Sequence, residues 1–231
     1  MRSATRIISF APAVNSPGKK DVSGAFLPER SEFSAAMRRL GAQTEELDFD
    51  NRRSLQRRAA EIRAALAPGS GYDVVTFFCH GWLDGIQAGF KRKNAAVLAQ
   101  SIAAAASGAV TVVLYCCSTG EDPKGRPLTA AGTGDNSFAD RLRDELCALG
   151  QTDCRVVAHS TAAHTTRNPY VLFFDGLGSR HGGSGGLAPV LPGRELWPRW
   201  RAELRSDFRF RFPLLEIADI HAALANGHDI A

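Results

Sequence analysis

Two apolar runs, DVVTFFC at residues 73–79 and VTVVLYC at residues 110–116, decide the fold. Both are continuously apolar rather than alternating, which is typical of β-strands that are buried on both faces of a parallel sheet. Between them, residues 94–106 (NAAVLAQSIAAAA) have the length and composition of a helix. Parallel strands need a crossover connection of this kind, so the three segments predict a strand–helix–strand unit.

The same alternation of strand and helix continues on both sides of this unit. Further strands are predicted at 6–13, 43–49, 154–159 and 170–175, and further helices at 31–40, 52–66 and 136–149. Strands separated by helices of this length form parallel sheets with helices packed on both faces. The predicted fold class is therefore α/β, with a three-layer α/β/α arrangement around a mostly parallel sheet.

The chain of 231 residues is predicted to form a single domain, since this length is enough to bury one sizeable core. That core is expected at about residues 6–175. Residues 176–193 are so rich in glycine that we expect a mobile loop there, with a lid or a processing loop as a hypothesis. Residues 194–231 are predicted to form a C-terminal helical segment, with helices near 194–206 and 214–225.

Composition and charge argue against several classes of protein. The chain is 44% hydrophobic and 23% charged, and none of its apolar runs approaches the roughly 18 residues of a membrane span. Residues 1–14 hold only a short apolar stretch, which predicts a first strand rather than a secretory signal. A cytoplasmic location is therefore expected, and no association with a membrane.

The basic residues do not indicate a nucleic-acid surface. The net charge of +4 is mild, and the arginines gather in two clusters, within residues 52–58 and within residues 199–211. On helices such clusters are usually solvated faces. No aromatic motif of a nucleic-acid-binding module accompanies them, so no nucleic-acid partner is expected.

The five cysteines indicate free thiols. Their number is odd, and Cys116 and Cys117 are adjacent, so no disulfide framework is suggested. Side chains alternate along a strand, so Cys116 and Cys117 point to opposite faces of the sheet, as do Cys79 and His80. Cys79 and Cys116 are predicted to lie in the core, which leaves Cys117 as the candidate nucleophile.

Candidate catalytic groups follow the two central strands directly: His80 and Gly81 after the first run, and Cys117 after the second. Catalytic groups collect at the carboxyl ends of parallel strands, and neighbouring strands lie about 4.8 Å apart. His80 and Cys117 are therefore expected to face one gap, where an imidazole can activate a thiol by taking its proton. Gly81 is expected to leave room for a substrate backbone, and its amide to help hold an oxyanion.

The two strand ends, VVTFFCHGW at residues 74–82 and VVLYCCSTG at residues 112–120, resemble the motifs of the caspase-like cysteine peptidases. That group includes caspases, metacaspases, legumains, gingipains, separases and CHAT peptidases. The second motif is similar to the CHAT pattern of a small residue, cysteine, any residue, threonine and glycine, and to the Cys-Cys context of metacaspases. The interval from His80 to Cys117 is 37 residues, against about 50 in caspases, and the caspase Gln-Ala-Cys-x-Gly box is absent.

The resemblance implies a caspase-like (flavodoxin-like) sheet topology. It also implies a cysteine endopeptidase that cleaves peptide or protein substrates through a thioester acyl-enzyme, without a cofactor. Cys117 would be the nucleophile and His80 the general base or acid. The amides of Gly81 and Cys117 would be the oxyanion donors.

Other assignments stay open. His159 follows the third central strand and is a rival to His80 as the base, and both His159 and Asp135 are candidates for substrate binding. The helix near residue 136 is expected to begin too far downstream for its dipole to act on Cys117. No metal site is expected, because alternation sends the strand-end ligands to opposite faces. A non-catalytic module that binds a ligand or partner, and another thiol-dependent hydrolase, are the alternative functions.

Overall fold

The computed structural model describes residues 4–13, 26–125, 134–160, 170–176 and 180–184. In chain order these residues form β1 (Arg6–Pro12), α1 (Phe26–Arg39), β2 (Gln43–Phe49), α2 (Leu55–Ala65), β3 (Tyr72–Phe78), β4 (Gly81–Trp82), β5 (Gly85–Ile86), β6 (Phe90–Lys91), α3 (Ala95–Ala105), β7 (Ala106–Tyr115), α4 (Phe138–Ala148), β8 (Arg155–Ala158), β9 (Tyr170–Asp175) and β10 (Arg180–Ser184). A short 3-10 turn, Arg92–Asn94, precedes α3.

Seven strands form the main sheet in the order β2–β1–β3–β7–β8–β9–β10. The strands from β2 to β8 are parallel, whereas β9 and β10 are antiparallel additions at one edge. The chain runs outward from β1 to β2 and then returns past β1 to β3, which is the strand order of flavodoxin-like sheets. The prediction of a mostly parallel sheet is confirmed.

Helices cover both faces of this sheet. On one face, α1 contributes Phe33 to a buried cluster that includes Phe78 of β3. On the opposite face, α2, α3 and α4 contribute Ile62, Leu98 and Leu142 to a larger cluster. The three-layer α/β/α prediction is thus confirmed. Within the described ranges, no helix has both the length and the apolar character needed to cross a membrane.

The helix after β1 begins earlier than the sequence predicts. It starts at Phe26 rather than near residue 31, and its first turn contains Pro28 and Glu29. Proline is tolerated in a first turn, where its missing N–H would have no helical partner, and an acidic residue there complements the helix dipole. Because α1 follows β1 directly in a parallel unit, this extra turn lies at the carboxyl end of the sheet.

The antiparallel edge corrects the prediction of a loop over residues 176–193. Arg180–Ser184 form strand β10, which pairs with β9 from Arg180 opposite Phe174 to Ser184 opposite Tyr170. Pairing of an edge strand rests on backbone hydrogen bonds, so Gly182 and Gly183 are compatible with it even though glycine weakens strands. The remainder of that loop, and the helical segment predicted over residues 194–231, lie outside the described residues.

A small second sheet, absent from the sequence prediction, lies between β3 and α3. Its strands β4, β5 and β6 form an antiparallel meander in which Gly81 pairs with Ile86. Strands of two residues carry no detectable alternation of polar and apolar side chains, so no sequence pattern could reveal them. The meander matters because it begins immediately after His80.

Candidate active site

The register between β3 and β7 leads toward His80 and Cys117. The two strands are parallel, and Phe78 is paired with Tyr115. One step further, the Sγ atoms of Cys79 and Cys116 lie 3.6 Å apart, so the same register continues past the strand ends. His80 and Cys117 follow these two cysteines directly, at the ends of neighbouring strands whose spacing is about 4.8 Å.

Side-chain alternation assigns these four residues to opposite faces. Cys79 and Cys116 are fully buried in the cluster beneath α2, α3 and α4, which confirms that both are core residues. Burial raises the pKa of the Cys116 thiol well above its ordinary value, so this sulfur stays protonated and unreactive. His80 lies on the other face, the face that α1 covers, where its ring contacts Phe26.

His80 is held through both its ring and its backbone. The half-buried imidazole packs edge-on against the ring of Phe26, the first residue of α1, with the ring centroids 5.1 Å apart and the planes at 87°. The Gln87 amide donates to the His80 carbonyl oxygen at 2.8 Å, and the His80 amide donates to the Gln87 side-chain oxygen at 3.3 Å. The meander thus fixes the His80 backbone while α1 contacts its ring.

Cys117 is half-buried and opens a tightly anchored loop. Ser118 has a φ of +54°, a left-handed conformation that is uncommon for a residue other than glycine. The Thr119 hydroxyl donates to the carbonyl oxygen of Cys116 at 3.1 Å, and the Gly120 amide donates to the carbonyl oxygen of His159, just after β8, at 2.8 Å. Unusual backbone conformations that are held by their surroundings are common at functional sites.

The N-terminus of α4 lies against this loop. The amide of Ala139, in the first turn, donates to the Thr119 carbonyl oxygen at 3.0 Å. The Ser137 hydroxyl caps the same turn by accepting from the Asp140 amide at 3.1 Å. The sequence predicts that this helix begins too far downstream for its dipole to act on Cys117. In the structure, its first turn nevertheless contacts Thr119, two residues after Cys117.

Gly81 packs closely against the Cys117 loop. A methyl group at this position would lie 2.5 Å from the Cys117 carbonyl oxygen and 2.7 Å from the Cβ atom of Cys116. The missing side chain therefore lets the meander pack against the Cys117 loop. In antiparallel strands, hydrogen-bonded residue pairs alternate with non-hydrogen-bonded ones. Because the Gln87 amide donates to the His80 carbonyl oxygen, the next pair, which contains Gly81, is not hydrogen-bonded. The Gly81 amide therefore points away from β5.

His159 does not fit the position of a substrate contact. It is fully buried, and its ring packs edge-on against Tyr115 with the centroids 5.4 Å apart. Tyr115 in turn packs against Phe78 at 5.1 Å. This aromatic layer lies two residues below His80 and Cys117 along the strands, or about 6.6 Å. A fully buried imidazole offers no surface to a substrate or to an incoming proton acceptor in this conformation.

Asp135 lies in the turn that leads into α4, and it is half-buried. Its neighbour Gly134 donates to a carboxylate oxygen of Asp122 at 3.2 Å, which ties this turn to the loop after Cys117. Arg92 joins the same turn to the meander, because it donates to Asp84 at 3.1 Å and to the Asn136 carbonyl oxygen at 3.0 Å. Asp135 thus lies near the junction of the loop that follows His80 and the loop that follows Cys117.

The sequence analysis missed a buried acid beneath the site. Glu29 in the first turn of α1 is buried, and this burial raises the pKa of its carboxyl to about 8. The Tyr115 hydroxyl donates a hydrogen bond to the carboxyl, which offsets part of that effect. The one available signal was the compatibility of Pro28 with a first helical turn, which would have extended α1 over Glu29.

The first arginine cluster is engaged in contacts within the chain. Arg52 donates to Asp50 at 3.0 Å, and Arg53 pairs with Glu61 at 2.6 Å. Arg58 donates to backbone carbonyl oxygens instead, among them that of Gln87 at 2.9 Å. Arg52 and Arg53 precede α2, and Arg58 lies on it and is half-buried. The second cluster lies outside the described residues.

Comparison with known proteins adds no family to this picture. No protein-family model matches the chain, and no curated protein matches it significantly. In the part of the chain that the structure describes, no group of three or more histidine, cysteine and acidic side chains is arranged to hold a metal ion.

Proposed function

We propose that the protein is a cysteine endopeptidase with a caspase-like arrangement of its catalytic groups. The observation that carries this proposal is the parallel register of β3 and β7, which runs to Phe78 opposite Tyr115 and on to the contact between Cys79 and Cys116, one residue before His80 and Cys117. Both the Cys117 thiol and the His80 imidazole are half-buried, which gives a nucleophilic cysteine and its base the access they require.

In the proposed reaction, His80 takes the proton of the Cys117 thiol, and the sulfur attacks the carbonyl carbon of a peptide bond. The Gly81 and Cys117 amides donate to the oxyanion that develops on the substrate oxygen. As the carbon–nitrogen bond breaks, His80 returns its proton to the leaving amine, leaving a thioester on Cys117. Water, activated by His80, then hydrolyses the thioester and restores the thiol.

The proposed location is the cytoplasm. All five cysteines are free thiols, which suits a reducing compartment. Peptides or proteins are the proposed substrates, and Asp135 remains a candidate for contact with them because of its place near the dyad.

The test is a digest of a peptide library, with the cut sites read by mass spectrometry, using wild type, Cys117→Ala, His80→Ala and Cys147→Ala. Cys147 is also a half-buried free thiol but lies in α4, so it is the matched control. We expect cleavage by wild type and by the Cys147→Ala variant, and none by the two dyad variants. Saturable binding of peptides without any cleavage would contradict the peptidase and favour the binding module.

A further inference from the structure

We propose that the first turn of α1 positions His80 for its reaction with Cys117, with Phe26 and Glu29 as the positioning residues. This inference rests on the proposed function and assigns a role to a turn that the catalytic steps do not otherwise use.

The two side chains reach the site from a single helical turn. Phe26 and Glu29 are three residues apart, so they lie on the same face of α1. Both are nearly inaccessible to water, at 8% and 3% exposure. Phe26 contacts the His80 ring edge-on, a geometry that favours one ring orientation over others. The position of this turn therefore determines how the imidazole is presented to Cys117.

Glu29 joins the same turn to the layer below the dyad. Its partner Tyr115 precedes Cys117 by two residues on β7 and therefore lies on the same face. Tyr115 also packs against Phe78, which precedes His80 by two residues on β3, and against His159. A single hydrogen bond thus links the turn that contacts His80 to the residues directly beneath both members of the dyad.

This link is made by a neutral carboxyl. Burial raises the pKa of Glu29 to about 8, so the group is protonated at neutral pH and brings no charge beneath the dyad. Its neighbour Arg30 is engaged with Glu46 at 3.3 Å and with Asp48 at 2.6 Å. Among the described residues, the titratable or charged groups on this face of the elements around α1 include Glu46 and Asp48 of β2, His80 after β3, Tyr115 of β7, Cys117 after β7, and His159 after β8.

Loss of the Glu29 proton would place an anion in this apolar layer. Ionisation of a buried carboxyl carries a large desolvation cost, so the turn would move toward water and release Phe26 from His80. Glutamine has the same shape as glutamic acid and stays neutral at every pH. Glu29→Gln should therefore keep the turn in place, whereas Glu29→Ala should remove the link.

The test uses the full chain with Phe26→Ala, Glu29→Ala, Glu29→Gln and, as a matched control, Met37→Ala. Met37 is a buried residue of α1 two to three turns beyond the site. The first readout is kcat and KM for a cleaved peptide between pH 6 and 9.5. The second is the proton resonance of the His80 imidazole, assigned by its absence in His80→Ala.

We expect Phe26→Ala and Glu29→Ala to lower kcat about 10- to 100-fold with KM changed less than threefold, because a misplaced imidazole impairs the reaction more than binding. Both should shift the His80 resonance. In wild type we expect kcat to fall above pH 8, where Glu29 ionises. Glu29→Gln should keep kcat at neutral pH within about threefold of wild type, and its kcat should not fall above pH 8. Met37→Ala should leave kcat and the His80 resonance unchanged, although it lowers stability.

An unchanged His80 resonance in Phe26→Ala and Glu29→Ala would overturn the positioning role, whatever the activity. Equal losses of kcat in these variants and in Met37→Ala would also overturn the positioning role. Failure of the proposed function looks different, since wild type would then cleave no peptide. In that case the shift of the His80 resonance still decides whether the turn positions this ring.

Discussion

Replacing Glu29 with glutamine should make the protein more stable than wild type, by an amount that grows as the pH rises from about 4.5 to about 8 and is constant above that. The folded state keeps this carboxyl protonated up to about pH 8, whereas the unfolded chain ionises it near its ordinary value of 4.5. Between these two pH values the unfolded state binds fewer protons, so stability is fully present below pH 4.5 and falls as pH rises toward 8. Each pH unit corresponds to about 1.4 kcal/mol.

Across the three units from pH 5 to pH 8, wild type should thus lose about 4 kcal/mol relative to Glu29→Gln. Urea unfolding followed by tryptophan fluorescence at several pH values measures this difference. Glu29→Ala is the second variant, because it also removes the titration but leaves a cavity; it should be less stable than Glu29→Gln by a constant amount. Parallel curves of stability against pH for wild type and Glu29→Gln would refute the reasoning, since Glu29 would then ionise alike in both states.

Two further changes probe other parts of the site. Gly81→Ala places a methyl group 2.5 Å from the Cys117 carbonyl oxygen and should separate the two strand ends. We expect a stability loss of about 1–3 kcal/mol and at least tenfold slower alkylation of Cys117 by iodoacetamide. Alkylation rates within twofold of wild type would argue against the close packing. The Asp140–Arg143 pair is buried, with a contact of 2.6 Å. Asp140→Ala should lower the free energy of unfolding, measured in urea, by about 3–5 kcal/mol because it leaves a buried guanidinium without this partner. The Asp140→Ala/Arg143→Met double variant should recover much of that loss. If it recovers none, the charge is not the cause.

The sequence was most informative where burial and chain periodicity coincide. The apolar runs that end in Cys79 and Cys116 predicted the two central strands, and alternation along them correctly assigned both thiols to the core. The same argument predicted that His80 and Cys117 would lie opposite each other, because register in a parallel sheet follows from matched apolar segments.

Features that depend on tertiary contact could not be predicted in this way. The burial of Glu29 arises from the packing of α1 on the sheet, while the sequence around it resembles an ordinary polar helix start. The approach of α4 to Thr119 depends on the return path of a loop, which has no periodicity. His159 was misjudged for a related reason, since a polar residue at a strand end suggests a cleft, whereas this one is fully buried and its ring packs against Tyr115.

The adjacent pair Cys116 and Cys117 has a consequence for the identity of the reactive sulfur. A slip of β7 by one residue would exchange the two thiols, so that Cys117 would enter the core and Cys116 would take its half-buried position. The same slip would turn Val112 and Leu114 from one core to the other and bring Val113 and Tyr115 in their place. The hydrophobic packing of the whole strand therefore determines which of the two neighbouring sulfur atoms is reactive. Core substitutions far from Cys117 can thus change which cysteine reacts.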